Sequence, residues 1–226
     1  CHLLTCLPDD ALGRYIINQL NDYGVKTSLI KNLNDRDIRT SLAVIETTNE
    51  DHQSIIFRNC ASDLFLSKDH IKNVNFAKFS CMIITGTSLA LEPSRSATFE
   101  AIKLASKINL PIIMDVDFRP YTWNSIKEAE NIYLKAAKQC DILIGNDEEF
   151  GVMAGKYEDG FNLAKYLSKS SSIIIYKMGE KGSITFVENN KINTGVFKVK
   201  TLKPTGAGDA FLGGFVGSIL NKYSIN

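Results

Sequence analysis

The chain is poor in the residues that build metal centres and disulfide frameworks. Its three histidines, His2, His52 and His70, are scattered in polar contexts that read as surface positions and not as ligands. Its five cysteines, Cys1, Cys6, Cys60, Cys81 and Cys140, are odd in number and form no Cys-x-x-Cys pair. A disulfide framework is disfavoured, and a reduced, cytoplasmic protein is the expectation. A charge excess is missing too, since 26 Lys and Arg against 25 Asp and Glu leave a net +1. Nothing in that balance invites nucleic acid or an anionic membrane surface as partner. No apolar run approaches the roughly 18 residues of a membrane span, and there is no internal repeat or low-complexity linker. The sequence opens on Cys1, not methionine, and closes soon after its most apolar stretch, so both ends read as cut.

What is present is a chain of 226 residues, 44% of them hydrophobic, long enough to bury a sizeable core. Residues 9–23 have helical spacing, with Leu12, Ile16, Leu20 and Tyr23 on one stripe and Gly24 as the stop. Residues 40–47 and 53–58 read as a β-hairpin. Strands and helices then alternate. Strands are predicted at 81–84, 111–115, 141–145 and 172–176, and helices at 94–109, 124–138 and 161–169. A second hairpin is predicted from 183–188 and 192–199. Continuously apolar strands separated by helices imply an α/β fold with a mostly parallel sheet covered on both faces. Ligands of such sheets gather at the carboxyl ends of the strands. Three polar segments sit there: Asp115 to Arg119, Asn146 to Glu149 and Lys177 to Gly182.

The sharpest signal is Pro204-Thr205-Gly206-Ala207-Gly208-Asp209-Ala210-Phe211, a small-residue turn with one acid where a buried helix, 210–220, is expected to begin. Free N–H groups and the positive dipole end make a helix N-terminus an anion site, and glycines allow close approach. An acid beside an anion site is unfavourable unless it handles a proton, which suggests phosphoryl transfer to a hydroxyl with Asp209 as base. Two other readings stand beside it. One is a plain strand-to-helix turn with Asp209 as N-cap. The other is a dinucleotide loop, which needs a further strand and an acid about 20 residues on.

This stretch resembles the C-terminal motif of the ribokinase-like (PfkB) carbohydrate kinases. Other segments agree in the family's order. Asp115-Val116-Asp117-Phe118-Arg119-Pro120-Tyr121-Thr122-Trp123 is similar to its Asp-x-Asn-x-Arg…Trp segment. Asn146-Asp147-Glu148-Glu149 is similar to its Asn-x-x-Glu motif, and Lys177-Met178-Gly179-Glu180-Lys181-Gly182 to its nucleotide loop. The resemblance covers essentially the whole chain. It implies one kinase domain over 1–226, incomplete at both ends, with a three-layer αβα core and a small β lid at about 38–60. It also implies ATP and Mg²⁺ as cofactors, with a homodimer through the lid as a possible assembly.

Site residues follow from the same resemblance. Asp209 would be the general base, with the Gly206, Ala207 and Gly208 amides receiving the charge that develops on the phosphoryl group. Asn146 and Glu149 would organise Mg²⁺ through its waters, the alternative being a helix-opening capping box. Lys177 and Gly179 would contact nucleotide phosphates, with Gly182 shaping the turn and Thr205 completing the nucleotide-binding set. Arg119, with Asp117 beside it, is the candidate for an acidic substrate, because a guanidinium fork suits a carboxylate. Its alternative is an ion pair with Asp115 or Asp117. Arg58, at the end of a lid strand, is a further candidate.

Three departures stand out. Asp117 occupies the family's Asn place. Lys203 stands where sugar kinases carry an acid of a monovalent-cation site, so its ammonium could replace that cation. The N-terminal Gly-Gly substrate motif is missing. Within the family, residues 115–123, 145–155 and 202–211 are together similar to the subgroup that phosphorylates the 6-hydroxyl of 5-dehydro-2-deoxy-D-gluconate in inositol catabolism. Kinases of 2-dehydro-3-deoxygluconate or fructose are the alternative, and a nucleotide- or sugar-binding protein without turnover is the alternative of another class.

Overall fold

Short β-branched runs become strands and the amphipathic stretches between them become helices. The computed structural model describes residues 1–45, 54–188, 190–199 and 205–222. They fall into two units, one of residues 1–75 and 88–101, the other of 76–87 and 102–226.

In the first unit, β1 (Thr5–Pro8) runs parallel to β2 (Ile30–Leu33), with α1 (Ala11–Asp22) between them in sequence. α1 starts where Asp10 Oδ1 accepts the Gly13 N–H at 2.8 Å. It stops before Gly24, whose φ of 73° is the left-handed stop the sequence predicts. The predicted stripe is not buried, however. Leu12 is 51% and Tyr23 80% exposed, because helical spacing defines a face without supplying anything to cover it. β3 (Leu42–Ile45) and β4 (Ser54–Phe57) pair antiparallel as a separate two-stranded sheet, inside the predicted hairpin. The short α2 (Lys68–Lys72) follows. His70 is not the free surface residue expected: its Nδ1 accepts the Ser67 N–H at 3.1 Å and lies 3.8 Å from Cys6 Sγ. His52 lies outside the described residues.

The second unit is built on β5 (Met82–Thr85), α3 (Ser94–Lys107, with residues in both units), β6 (Ile112–Asp115), α4 (Ile126–Ala137) and β7 (Ile142–Asn146). It continues through α5 (Asp147–Ala154), α6 (Gly160–Leu167), β8 (Ile173–Lys177), β9 (Ser183–Val187), β10 (Asn190–Thr194) and α7 (Ala207–Leu220). The six strands form one sheet in the order β10-β9-β8-β7-β6-β5. β5 to β8 are parallel, and β9 and β10 add antiparallel at one edge. Side chains alternate faces along each strand. Ile113, Ile142, Ile144, Ile173 and Ile175 line one face and pack with Val216 of α7, supported by Leu212, Phe215 and Ile219. Residues of the opposite parity, Met114, Leu143 and Ile174, are buried, as are Phe150 and Met153 of α5 and Leu167 of α6. Phe150 and Phe161 meet the Tyr176 ring at 5.3 and 5.6 Å.

Three expectations are corrected. β5 is not fully buried, and Ile83 is 42% exposed because β5 is the edge of this sheet. The second hairpin is shorter than predicted: Thr194 already faces Ser183, the first residue of β9, so 195–199 have no strand to pair with. α7 begins three residues earlier than predicted and is not buried throughout. Val216 is its buried residue, while Phe211 (37%) and Leu220 (53%) stay exposed, because only one side of the helix meets the sheet.

Candidate active site

Strand parity sets the site. The apolar column under α7 ends in polar residues at the carboxyl ends of three adjacent parallel strands. Asp115 follows Ile113 on β6, Asn146 follows Ile144 on β7, and Lys177 follows Ile175 on β8. Asn146 is paired with Lys177 in register, whereas Asp115 is level with Ile144, two residues lower on β7. The first turn of α7 brings its own residues to the same place.

That turn departs from the reading of Asp209 as N-cap. Gly206 holds the cap position at φ 84°, a left-handed conformation that favours glycine, and no side chain caps the helix. Ala207 opens the helix, and Asp209 lies in its first turn and is solvent-exposed. Thr205 and Gly206 form the exposed turn before it. Ala210 N–H reaches Gly206 O at 2.9 Å, and among the described residues the preceding amides of the turn have no partner at the positive end of α7. Lys203 and Pro204, and with them the cation-replacement expectation, lie outside the described residues.

Lys177 Nζ comes close to this turn. It lies 3.6 Å from where a Cβ on Gly208 would stand and 5.9 Å from the Phe211 ring centroid. Its ion partner is Asp115, with Nζ and Oδ1 3.6 Å apart and both side chains largely buried. Burial pushes the Asp115 carboxyl above its ordinary range, against the opposing pull of Lys177. Sequence reasoning placed Asp115 on the rim and in the family-like segment, and named it as an alternative partner for Arg119, but gave it no role of its own. The available signal was that it ends an apolar strand on the same parity as the isoleucines beneath α7.

Asn146 and Glu149 form the capping box that stood as the alternative reading. Asn146 Oδ1 accepts the Glu149 N–H at 2.8 Å, and Glu149 Oε2 accepts the Asn146 N–H at 2.7 Å. Glu149 Oε1 also accepts the Phe118 N–H at 3.2 Å, which ties the β6 loop to α5. Burial raises the Glu149 carboxyl above its ordinary range, although these N–H groups and Lys177 act the other way. Both oxygens are engaged, yet each keeps a second lone-pair direction that a metal-bound water could use.

Arg119 takes its alternative as well. Nη2 lies 2.6 Å from Asp117 Oδ1, not beside Asp115. Asp117 has φ 40°, a region that Asn and Asp tolerate best among side-chain-bearing residues, which accounts for Asp serving in an Asn place. Gly179 (φ 55°) and Gly182 (φ 85°) shape the turn after β8, and Met178 N–H donates to Gly182 O at 2.8 Å. At Gly182 a Cβ would stand 2.0 Å from Thr194 O, so only glycine fits. Arg58 belongs to the first unit, where it is ion-paired with Asp63 and mostly buried. Among the described residues no group of three His, Cys, Asp or Glu side chains is arranged to hold a metal directly. No described helix is long and apolar enough to cross a membrane.

Comparison with known proteins is consistent with this geometry. The chain is 35% identical over 222 residues to the 5-dehydro-2-deoxygluconokinase of Photobacterium profundum, aligning 96% of its own length and 67% of that protein. It is 32% identical to the enzyme of the same name from Geobacillus kaustophilus, over 96% of this chain and 66% of that one. The chain therefore spans about two thirds of the length of these relatives. Among solved structures, the PfkB protein from Polaromonas sp. JS666 superposes with a TM-score of 0.86 at 17% identity, over 99% of this chain and 74% of that one. The fructokinase with bound ATP from Xylella fastidiosa gives 0.87 at 19% identity, over 98% and 68%. Both share the fold. The model of the pfkB family of carbohydrate kinases matches residues 1–226, and the chain belongs to that family.

Proposed function

We propose that the chain is the greater part of an ATP-dependent kinase that phosphorylates the 6-hydroxyl of 5-dehydro-2-deoxy-D-gluconate in inositol catabolism, in the cytoplasm. The observation that carries the reading is the uncapped N-terminus of α7, with Asp209 in its first turn and the Lys177 ammonium beside Gly208. The substrate assignment rests on the names of the relatives at 32–35% identity.

In this reading Asp209 takes the proton of the sugar hydroxyl as its oxygen bonds to the γ-phosphorus. The bond from that phosphorus to the β–γ bridging oxygen breaks, and ADP leaves. The Gly206, Ala207 and Gly208 amides receive the charge spreading over the phosphoryl oxygens. One such donor is worth about 3–4 kcal/mol in comparable sites. Lys177 faces the phosphates, and Thr205, Gly179 and Gly182 shape the loops around them. Mg²⁺ would be held by Asn146 and Glu149 through its waters, which suits an ion that dehydrates reluctantly, and would neutralise phosphate charge. Arg119 would address the substrate carboxylate. The exposed apolar faces of β3 and β4, with Val44, Ile55 and Phe57, would serve as lid and dimer contact within one kinase domain. Arg58, already paired with Asp63, has less support as a substrate contact.

The second reading is a kinase of a neutral sugar such as fructose, or of 2-dehydro-3-deoxygluconate. The Asp117–Arg119 pair favours the neutral sugar, since it already matches the charge that an acidic substrate would use. The test is ADP release by the full-length gene product offered 5-dehydro-2-deoxygluconate, 2-dehydro-3-deoxygluconate, fructose and ribose, with Asp209→Asn as control. Turnover of the first alone supports the proposal, and turnover of another sugar discards the substrate while keeping the mechanism. MgATP binding without turnover of any of them would favour a binding role.

A further inference from the structure

A lysine beside the first turn of a helix is in an unfavourable place. The helix end carries a partial positive charge of its own, and burial adds a desolvation cost to the ammonium. Lys177 nevertheless stands there, its side chain 16% exposed, with Nζ 3.6 Å from a would-be Cβ on Gly208. Something must hold it against repulsion and against the pull of water.

Four acids lie around the place: two are tied to other groups, one is exposed on α7, and one is left facing the ammonium. Both Glu149 oxygens are fixed by the N–H groups of Asn146 and Phe118. Asp117 is paired with Arg119 at 2.6 Å. Asp209 lies exposed on α7. Asp115 remains. Its side chain is 8% exposed, and its Oδ1 accepts no hydrogen bond and faces Lys177 Nζ at 3.6 Å. Register explains the encounter. Asp115 is level with Ile144 on β7, which is level with Ile175 on β8, so the carboxylate is anchored among the isoleucines beneath α7. Lys177 lies one same-face position farther along β8 and reaches back across β7 to meet it. The carboxylate cannot follow the lysine outward, and so it fixes where the ammonium rests.

We infer that Asp115 is a positioning residue: its carboxylate holds the Lys177 ammonium against the first turn of α7, where the transferred phosphoryl group is received, without itself touching nucleotide or sugar. The inference rests on the reading of Lys177 as a phosphate contact.

A double-mutant cycle of Asp115→Asn and Lys177→Ala in the full-length protein tests it, reading kcat, KM for the sugar and MgATP affinity by calorimetry. Asp115→Asn is expected to lower kcat about 10- to 100-fold, the usual cost of losing an orienting partner, with sugar KM within about twofold. On the Lys177→Ala background the same change is expected to cost less than about twofold, since the group it positions is gone. Equal losses on both backgrounds would overturn the inference while leaving the kinase assignment standing. A Lys177→Ala variant with unaltered kcat and MgATP affinity would overturn the phosphate reading of Lys177, and the inference with it. If no offered sugar is turned over, the kinase reading fails separately, and the MgATP affinities of the four proteins still decide the coupling. Should Asp115→Asn prevent folding, Asp115→Glu takes its place in the cycle; it keeps the charge but displaces it, and the same non-additivity is required.

Discussion

Asn146 and Glu149 hold one another through the backbone: each side chain accepts the other residue's N–H, at 2.8 and 2.7 Å. This reciprocal cap fixes the start of α5 at the carboxyl end of β7. The structural duty is this cap; the proposed chemical one would fall on the same two residues. Asn146→Ala should lower stability by about 1 kcal/mol, the usual value of an N-cap. Asn146→Asp keeps the acceptor and should retain the stability. If the pair also organises Mg²⁺, Asn146→Asp will still shift the Mg²⁺ concentration needed for half-maximal ADP release. Urea unfolding and a magnesium titration separate the two duties, and an unaltered titration would leave only the cap.

Burial raises the Glu149 carboxyl above its ordinary range in the folded chain. A folded-state pKa above the unfolded value means that the native state binds more protons in the window between them, so stability falls as pH rises through it. The contribution is whole below the unfolded value, about 4.3, and is lost once pH passes the raised folded value. Glu149→Gln removes this titration. The stability of the parent relative to the variant should therefore decline from pH 4 towards pH 8 in urea unfolding series. A difference that grows with pH would contradict the assignment.

The fold was legible because its signals are local. The apolar strands predicted at 111–115, 141–145 and 172–176 and the helices between them announce a parallel sheet, and the polar segments after them announce the rim. The capping box at Asn146 and Glu149 was legible in the same way, as one of two readings of a spacing. Burial was not. Leu12 and Tyr23 have helical spacing and remain exposed, and α7 keeps Phe211 and Leu220 exposed among the described residues, because a pattern cannot say what packs against it. The Asp115–Lys177 pair was hidden for another reason: it joins residues 62 positions apart through the order of three strands, which is a property of topology.

Gly182 combines a φ of 85° with a would-be Cβ 2.0 Å from Thr194 O, a backbone atom held in the β9–β10 ladder. Neither the left-handed cost nor the clash can be relieved by a rotamer change. Gly182→Ala should destabilise by about 2–5 kcal/mol. Gly179 has a positive φ but open space around it. Gly179→Ala should therefore cost only about 1–2 kcal/mol. Equal melting temperatures for the two variants would refute the distinction.

The Asp117–Arg119 pair makes a prediction about substrate charge. Arg119 Nη2 is committed to Asp117 at 2.6 Å, with the arginine side chain 46% exposed and able to move. Asp117→Asn restores the residue usual in the family and frees the guanidinium. If the substrate carboxylate is read by Arg119, this variant should lower KM for an acidic sugar and leave KM for a neutral one unchanged. Arg119→Ala should do the reverse to the acidic sugar, raising its KM tenfold or more, as expected for a lost charged hydrogen bond of about 1.5–3 kcal/mol. A parallel change for fructose would assign Arg119 to loop structure only.

Asp209 offers the cleanest separation of chemistry from folding. It is exposed in the first turn of α7, and among the described residues its side chain enters no hydrogen bond or ion pair. Asn in its place preserves size and hydrogen-bonding capacity and removes only the charge and the basicity. The favourable interaction of an acid with the helix N-terminus is worth about 0.3–1 kcal/mol, so the melting temperature should fall by a few degrees at most. Turnover, if Asp209 accepts the hydroxyl proton, should fall about 10²- to 10⁴-fold. MgATP should bind at least as tightly as before, because a negative charge beside the phosphate site has been removed. A variant that stays folded, binds MgATP and releases no ADP places the lost step in proton transfer. Retained turnover would move the base elsewhere and leave Asp209 with the helix-capping charge alone.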